Sequence, residues 1–207
     1  MVDEPIRPQP IPDRPPLRSG RRLRRDIIET LLLVVVIYTL VNLTTARAIV
    51  EGPSMQPNFY TGQLVVINRF AYYFTQPARG DVVVLHSPRQ DCQDPAKLES
   101  AGCEDLIKRV IGLPGETVEI KQGRVYINNV LIEEPYIRDF CHVGCDGTWL
   151  LKRDEYFVLG DNRNNSYDSH SFGPIARHLI VGEAWIRYWP PQDANVIPHP
   201  NYGLNSH

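Results

Sequence analysis

The run IIETLLLVVVIYTLVNLTTARAI, residues 27–49, separates a short basic N-terminal part of the chain from a longer body. Glu29 and Arg47 are its only charged residues, and they lie near its two ends. A bilayer core about 30 Å thick is crossed by roughly 20 helical residues, so the run is long enough to span it. The sequence therefore predicts a transmembrane helix over residues 26–49.

Two other interpretations of this run stay open. A buried core helix is disfavoured because the run is apolar on every face and has basic residues beside it. A cleaved signal peptide has an apolar core of only about 7–15 residues, although Ala46-Arg47-Ala48 resembles a small-x-small cleavage site. A permanent anchor fits the length of the run best.

Residues 1–25 hold seven arginines against three acidic residues, and six of the first sixteen residues are proline. Proline resists both helix and central strand, so this part is predicted to be a disordered tail. Basic residues beside a membrane span stay in the cytoplasm. We therefore expect a single-pass protein with a cytoplasmic N-terminus and an extracytoplasmic body.

The body, residues 50–189, has short β-branched and aromatic segments separated by turn residues, which is typical of strands. These segments are residues 64–67, 81–85, 106–111, 117–120, 124–127, 156–159 and 180–188. Asn128-Asn129 has the composition of a two-residue hairpin turn, because asparagine tolerates positive φ. The sequence therefore predicts one mainly β domain, followed by a loose proline-rich tail over residues 190–207.

Composition limits the classes of function. The 207 residues are 43% hydrophobic and 22% charged, which is enough apolar material for a packed core and excludes wholesale disorder. The net charge is only −2, so the chain as a whole is no polyanion binder. We expect no nucleic-acid partner.

Four cysteines lie in the body: Cys92, Cys103, Cys141 and Cys145. In an oxidising compartment an even number of cysteines favours disulfides, and the expected pairs are 92–103 and 141–145. Free thiols and a zinc site that includes His142 remain alternatives, although neither pair has the C-x-x-C spacing of most zinc knuckles.

Two side chains could form a nucleophile and its base. Ser54 follows Gly52 and Pro53 and precedes Pro57, which predicts a tight turn open to a substrate backbone. Lys108 lies in a strand and shares one strand face with apolar neighbours. A free lysine has a pKa of about 10.4, and burial can lower it by up to about 3–5 units. A turn serine and a solvated lysine are the simpler explanations, and the pair Asp168 and His170 offers an alternative base.

Residues 160–173, GDNRNNSYDSHSFG, form a long polar segment without an aliphatic side chain, which predicts a hydrogen-bonded loop. Together with three other segments this loop resembles the type I signal peptidase family, the membrane-anchored serine endopeptidases that remove signal peptides. The other segments are 54–57 (SMQP), 79–84 (RGDVVV) and 108–116 (KRVIGLPGE). Their order, their spacing and the preceding apolar run all match, and the resemblance covers about residues 26–189.

The resemblance implies a role for individual residues. Ser54 would be the nucleophile, with its backbone N–H as an oxyanion donor, and Lys108 the general base oriented by Ser166. Asp161, Arg163 and Asp168 would support this pair through charged contacts. The residues expected to contact substrate are Met55, Gln56, Pro57 and Val82. Four positions depart from the family pattern: Asn164 replaces an aspartate, His170 an arginine, Phe172 a tryptophan or tyrosine, and Gly52 a serine hydroxyl found in some members.

The resemblance also implies two antiparallel β-sheet subdomains that form one catalytic body. The expected activity is cleavage of exported preproteins after small residues, at A-x-A sites, on the outer face of a bacterial cytoplasmic membrane. The expected partners are signal peptides, the lipid bilayer and nearby secretion machinery, with no cofactor and no metal. A narrow-substrate pilin or conjugation-factor maturase and a non-enzymatic anchored β binding module are the alternatives.

Overall fold

The computed structural model describes residues 20–89, 104–200 and 202, with side chains from Leu23 onward. The chain divides after Val41 into two units, and the second unit contains all the strands. The predicted cysteine pair 92–103 lies outside the described residues.

Helix α1 spans Gly20–Thr44. Its segment Leu23–Thr44 is long and apolar enough to cross a membrane. The predicted bounds were wrong at both ends, because the helix begins inside the expected disordered tail and ends five residues early. Residues Thr45–Ile49 form strand β1 instead, where Ala46 and Ala48 pack against the core and the backbone pairs with the next strand.

The remaining elements are short. The strands are β2 (Leu64–Asn68), β3 (Val82–His86), β4 (Asp105–Gly112), β5 (Thr117–Lys121), β6 (Arg124–Ile127), β7 (Val130–Leu131), β8 (Gly147–Leu150), β9 (Glu155–Leu159), β10 (Ile175–Ala176), β11 (Ile180–Trp189) and β12 (Asn195–Val196). Two four-residue helices, α2 (Ala71–Phe74) and α3 (Ser169–Phe172), and 3₁₀ turns at Arg177–Leu179 and Pro191–Asp193 complete the described part.

The strands form two antiparallel sheets in the described part of the chain. The larger has the order β1-β2-β11-β3-β4-β9-β10, with β12 beside β11, and the smaller has the order β7-β6-β5-β8. The predicted hairpin is present, since β6 and β7 pair and both Asn128 and Asn129 have positive φ. The prediction of a mainly β fold with two antiparallel sheets is confirmed.

The predicted loose C-terminal tail is wrong for its described residues. Strand β12 pairs with β11, and the side chains of Ile197 and Tyr202 are buried. Proline content suggested an open segment, but burial of these two apolar side chains stabilises a packed one.

Cys141 and Cys145 form a disulfide, as the even number of cysteines led us to expect. Both sulfur atoms are therefore unavailable as thiolate ligands, which argues against a zinc site at residues 141–145.

Candidate active site

Ser54 lies in a tight turn at the start of the body. Gly52 has φ +75°, a left-handed conformation that favours glycine, and the amide of Gln56 donates to the carbonyl of Pro53 at 3.1 Å. A serine at position 52 would be strained by this backbone, so a side-chain oxyanion donor there is disfavoured. The carbonyl of Ser54 accepts from the amide of Asn162 at 3.0 Å, which joins the turn to the polar loop 160–173.

Strand β4 brings Lys108 to this turn. The Lys108 amine donates to Ser54 Oγ and to the carbonyl of Ile107, both at 2.9 Å. The Lys108 residue is only 3% exposed, and its burial lowers the pKa of the amine from 10.5 to about 8, although Asp168 and Asp161 act in the opposite direction. The two predicted residues therefore meet, and their geometry allows a proton to pass between them.

A buried amine with a lowered pKa destabilises the folded protein at neutral pH. Between pH 8 and 10.5 the unfolded chain binds the extra proton, so stability should rise with pH through that window. Since one pKa unit corresponds to about 1.36 kcal/mol, Lys108→Met should stabilise the chain by up to about 3 kcal/mol at pH 7, with a smaller gain at pH 10. Urea unfolding at both pH values measures this, and a Met variant less stable than the parent at pH 7 would refute it.

The predicted hydrogen bond between Ser166 and the lysine amine is absent. Ser166 Oγ is buried and has no hydrogen-bond partner, while the amine of Lys108 contacts Ser54 and a carbonyl instead. The Ser166 side chain lies against Gly160, where an added Cβ would come within 2.2 Å of Oγ. Glycine at position 160 therefore makes room for this hydroxyl close to the Ser54 carbonyl.

Asp161 is a buried anchor of the site. Its carboxylate accepts two hydrogen bonds from the guanidinium of Arg109, both at 2.8 Å, and one from the Asn58 amide at 2.8 Å. A bidentate arginine–carboxylate pair fixes both distance and orientation. The pair therefore fixes the polar loop to strand β4 one residue after Lys108.

Arg163 and Asp168 also fix the polar loop, through contacts other than those of Asp161. The guanidinium of Arg163 forms a buried ion pair with Glu134 and donates to the Gly160 carbonyl. Asp168 accepts from the amide of Gly160 at 2.8 Å. These contacts match the supporting position expected for both residues.

His170 partly replaces the arginine expected at its position. Its Nδ1 lies 2.6 Å from Asp168 Oδ1, and this hydrogen bond raises the pKa of the imidazole against the effect of burial. Asn164 also makes loop contacts, since it accepts from the amide of His142 at 2.9 Å and donates to the carbonyl of Phe140 at 3.0 Å. Both departures thus retain a hydrogen-bonded role.

A groove of about 760 Å³ opens beside Ser54 and Lys108. Most of its lining comes from two chain segments, 47–54 and 104–108, which form its two walls. Ser54 is the last residue of the first segment, and Lys108 is the last residue of the second. None of the described lining residues is a histidine, which disfavours a histidine base. Its apolar lining includes small and branched side chains together with Pro53 and Tyr167; the small and branched ones are Ala48, Ile49, Val50, Val65, Val84, Leu106 and Ile107.

Both walls carry strand edges without a strand partner among the described residues. Strand β1 is the outermost strand of its sheet. Residues 105–108 of β4 pair with β3 on one side, whereas β9 pairs only from Arg109 onward. An extended peptide in the groove could therefore hydrogen-bond to both edges.

The four residues expected to contact substrate do not line this groove. Met55 and Val82 are buried in the core. The turn at 53–59 directs the Met55 side chain inward. Val82 lies opposite Arg109, beyond the part of β4 that lines the groove. Gln56 and Pro57 line a separate depression beside Asp161 and Arg163. The groove residues are therefore additional candidates for substrate contacts.

Some site residues were missed by the sequence analysis. Arg109 and Glu134 complete buried ion pairs with Asp161 and Arg163, and Asn58 and Asn162 fix the turn. The quoted segments contained Arg109 and Asn162, and a buried charge needs a partner. Nothing in the local sequence around Glu134 indicates its role.

In the described part of the chain, Asp81, Glu183 and His199 have possible metal-ligand atoms within 4.8 Å of one another. The ring nitrogens of His199 lie 3.1 Å from Asp81 and 3.2 Å from Glu183. The imidazole of His199 therefore bridges the two carboxylates.

The chain is similar over most of its length to proteins named signal peptidase I. The chain is 37% identical over 204 residues to a signal peptidase I of Leptolyngbya laminosa, which covers 96% of this chain and 93% of the relative. It is 35% identical over 178 residues to a probable signal peptidase I-2 of Synechocystis sp., with 86% and 77% covered. A crystal structure of a signal peptidase I from Enterococcus faecalis V583 is 31% identical, covers 53% of this chain and 97% of that one, and has a TM-score of 0.42.

A family model described as "Signal peptidase, peptidase S26" matches residues 24–189. This match includes the Ser54 turn, strand β4 and the polar loop, the three parts of the chain that meet at the groove. The chain therefore belongs to the signal peptidase family, peptidase S26.

Proposed function

We propose that this chain removes signal peptides from exported preproteins, with Ser54 as nucleophile and Lys108 as general base. The observation that carries the proposal is the 2.9 Å contact between the Lys108 amine and Ser54 Oγ. An amine with a pKa lowered to about 8 is neutral often enough near neutral pH to accept a proton.

The reaction would proceed in two steps. Neutral Lys108 takes the proton of Ser54 as Oγ attacks the scissile carbonyl carbon, and the resulting ammonium gives that proton to the leaving amine. The ester left on Ser54 is hydrolysed by water, which loses a proton to Lys108 as it attacks. Lys108 then returns the proton to Ser54 Oγ, and the signal peptide leaves with a new C-terminal carboxylate.

The developing oxyanion needs donors that are already in place. The backbone N–H of Ser54 is the proposed one. Gly52 has no side chain to add a second donor, and its positive φ disfavours the serine present in some relatives. A further donor would therefore have to come from a group other than the side chain at position 52, for example a backbone amide or a water molecule.

The polar loop would keep the dyad aligned. Asp161 and Arg163 fix the loop through buried ion pairs, and Asp168 through the amide of Gly160. Ser166 is proposed as an orienting residue that donates to the neutral amine once Lys108 has lost its proton. Its buried hydroxyl without a partner supports this role.

The groove supports a substrate that binds extended, with small side chains next to the scissile bond. Among the described lining residues Tyr167 is the one aromatic side chain. The strand edges at residues 47–49 and 105–108, which have no strand partner in the described part of the chain, can hold the peptide backbone. The test is to incubate the full chain in detergent with a preprotein bearing an A-x-A site and to map the cut by mass spectrometry. Cleavage directly after the second alanine is expected, whereas no cleavage or scattered cuts would refute the proposal.

The pH profile should identify the base. Since only neutral Lys108 accepts a proton, kcat/KM should rise with an apparent pKa near 8, and roughly a tenth of the enzyme should be active at pH 7. Peptide cleavage measured from pH 6 to 10 checks this, with the exposed Lys121→Ala as control. A rise centred near the ordinary histidine pKa of about 6.5 would indicate a different base.

The proposed location is a bacterial cytoplasmic membrane, with α1 as the single span, the N-terminus in the cytoplasm and the catalytic body outside, near the secretion machinery. The arginines before the span support this orientation. Protease added to intact cells, or to spheroplasts of a bacterium with an outer membrane, should digest the body and leave a small anchor fragment. Full protection of the body from the added protease would contradict this orientation.

A further inference from the structure

The described residues near the C-terminus cross the body as a packed segment, which we call the strap. The family model matches residues 24–189, and the strap follows that match and consists of residues 195–200 and Tyr202. It begins with β12, which pairs with β11, and the amide of Ile197 donates to the carbonyl of Trp185 at 2.9 Å. The first residues of the strap are therefore fixed to the larger sheet.

A second contact fixes the strap at His199. The ring nitrogens of His199 lie 3.1 Å from the carboxylate of Asp81 and 3.2 Å from that of Glu183. Asp81 is buried and accepts a hydrogen bond from the Tyr72 hydroxyl at 2.7 Å, so its position is fixed independently of the strap. The imidazole thus connects the strap to β11 and to the residue that precedes β3.

The described strap ends with Tyr202 packed against Gly80. The Tyr202 side chain is buried, and a Cβ added at Gly80 would lie 2.8 Å from its ring and 3.1 Å from Pro200. Glycine at position 80 therefore lets the strap approach the backbone closely. The carbonyl of Gly80 accepts a hydrogen bond from the guanidinium of Arg109 at 2.8 Å, so the strap packs on the same residue that binds this arginine.

The strap also contributes to the surroundings of Arg109. The guanidinium carbon of Arg109 lies 4.2 Å from the centre of the Tyr136 ring. The rings of Tyr136 and Tyr202 meet edge to face, with their centroids 5.9 Å apart. Ile197 and Pro200 line a cavity of about 290 Å³ together with Arg109 and Tyr136. Since Arg109 is only 3% exposed, the strap is part of what separates this charge from water.

Arg109 connects the strap to the dyad. Its guanidinium forms the bidentate pair with Asp161, and it follows Lys108 directly in strand β4. The attraction within a buried ion pair offsets the cost of desolvation only when the geometry is good. We propose that Tyr202 is a positioning residue, which packs beside the Arg109–Asp161 pair and thereby keeps the catalytic lysine aligned with the serine. This inference rests on the proposed function.

Tyr202→Ala should lower kcat by about 10-fold or more, since displacement of a reacting group by about 1 Å can cost roughly 100-fold. KM should change little, because Tyr202 is not among the described residues that line the groove. The rise of kcat/KM with pH should also move to higher pH. The Asp161 carboxylate raises the pKa of Lys108, and this effect grows when a displaced Arg109 neutralises it less. Cleavage of an A-x-A preprotein by the full chain from pH 6 to 10 measures all three quantities.

Tyr202→Phe is the rescue variant. The Tyr202 hydroxyl is buried and has no hydrogen-bond partner among the described residues, so phenylalanine should preserve both kcat and the pH profile. Leu179→Ala truncates a similarly buried side chain in a separate core cluster and controls for a loss of stability alone. Circular dichroism checks folding. If the alanine variant is unfolded, Tyr202→Leu takes its place, because leucine fills much of the space without the ring, and the same fall in kcat is expected.

A folded Tyr202→Ala or Tyr202→Leu chain with the parent's kcat and pH profile would overturn the inference. An equal loss of kcat in Leu179→Ala would also overturn it, because the effect would then reflect stability. The same holds for a Tyr202→Phe chain as slow as the alanine variant, since the ring would not be the part that acts. A parent chain that cleaves no preprotein would overturn the proposed function together with this inference.

Discussion

Replacement of Ser54 or Lys108 by alanine should abolish turnover, with kcat/KM at least about 10⁴-fold below the parent. Ser54→Ala removes the attacking oxygen, and Lys108→Ala removes the amine that lies 2.9 Å from it. Because the two residues act as a unit, the double variant should be no worse than either single variant. Cleavage of a preprotein by each purified variant measures the effect.

Lys121→Ala is the matched control, since Lys121 is an exposed lysine at the end of strand β5. It should retain the parent's activity. Circular dichroism and thermal unfolding confirm that the inactive variants are folded. A fully active Lys108→Ala chain would refute the lysine base.

Asp161→Asn should lower the free energy of unfolding by about 3–5 kcal/mol, because it leaves the buried guanidinium of Arg109 without its counter-charge. Arg109 and Asp161 are both almost fully buried and form two hydrogen bonds of 2.8 Å. Urea unfolding of the parent and the variant gives the difference. Activity should fall as well, since the pair fixes the loop next to the Ser54 turn.

The exposed pair Arg138 and Asp139, at 3.9 Å, provides the control. Asp139→Asn should change stability by less than about 1 kcal/mol, since exposed ion pairs contribute little. The double variant Arg109→Met, Asp161→Leu should recover part of the loss, because it removes both buried charges. Equal effects of Asp161→Asn and Asp139→Asn would contradict the structural role given to Asp161.

The sequence was sufficient for the fold class, the family and the pairing of Ser54 with Lys108. The fold class is predictable because strands can be recognised from short β-branched segments, which are a local property of the sequence. Ser54 and Lys108 are predictable because each lies in a segment that resembles the family. The end of α1 was predicted wrongly because no glycine or proline marks a helix end between residues 44 and 49, and only pairing with β2 makes residues 45–49 a strand. Hydrogen bonding to a strand that is distant in sequence leaves no pattern in the local sequence.

The predicted substrate residues lie outside the groove lining for a related reason. Met55 is adjacent to Ser54 in sequence, but the turn directs its side chain into the core. The actual groove lining comes from β1 and β4, whose free edges depend on sheet order. Likewise, Glu134 becomes part of the site only through its buried contact with Arg163.

The central claim is that Ser54 carries the acyl group during turnover, and a trapped intermediate tests it most directly. The full chain is mixed with an A-x-A preprotein, quenched in acid during steady-state turnover, digested and analysed by mass spectrometry. The account predicts that the peptide containing Ser54 gains the mass of the signal peptide minus one water, and that Ser54→Ala shows no adduct. An adduct on another residue, or product formation by Ser54→Ala, would contradict it.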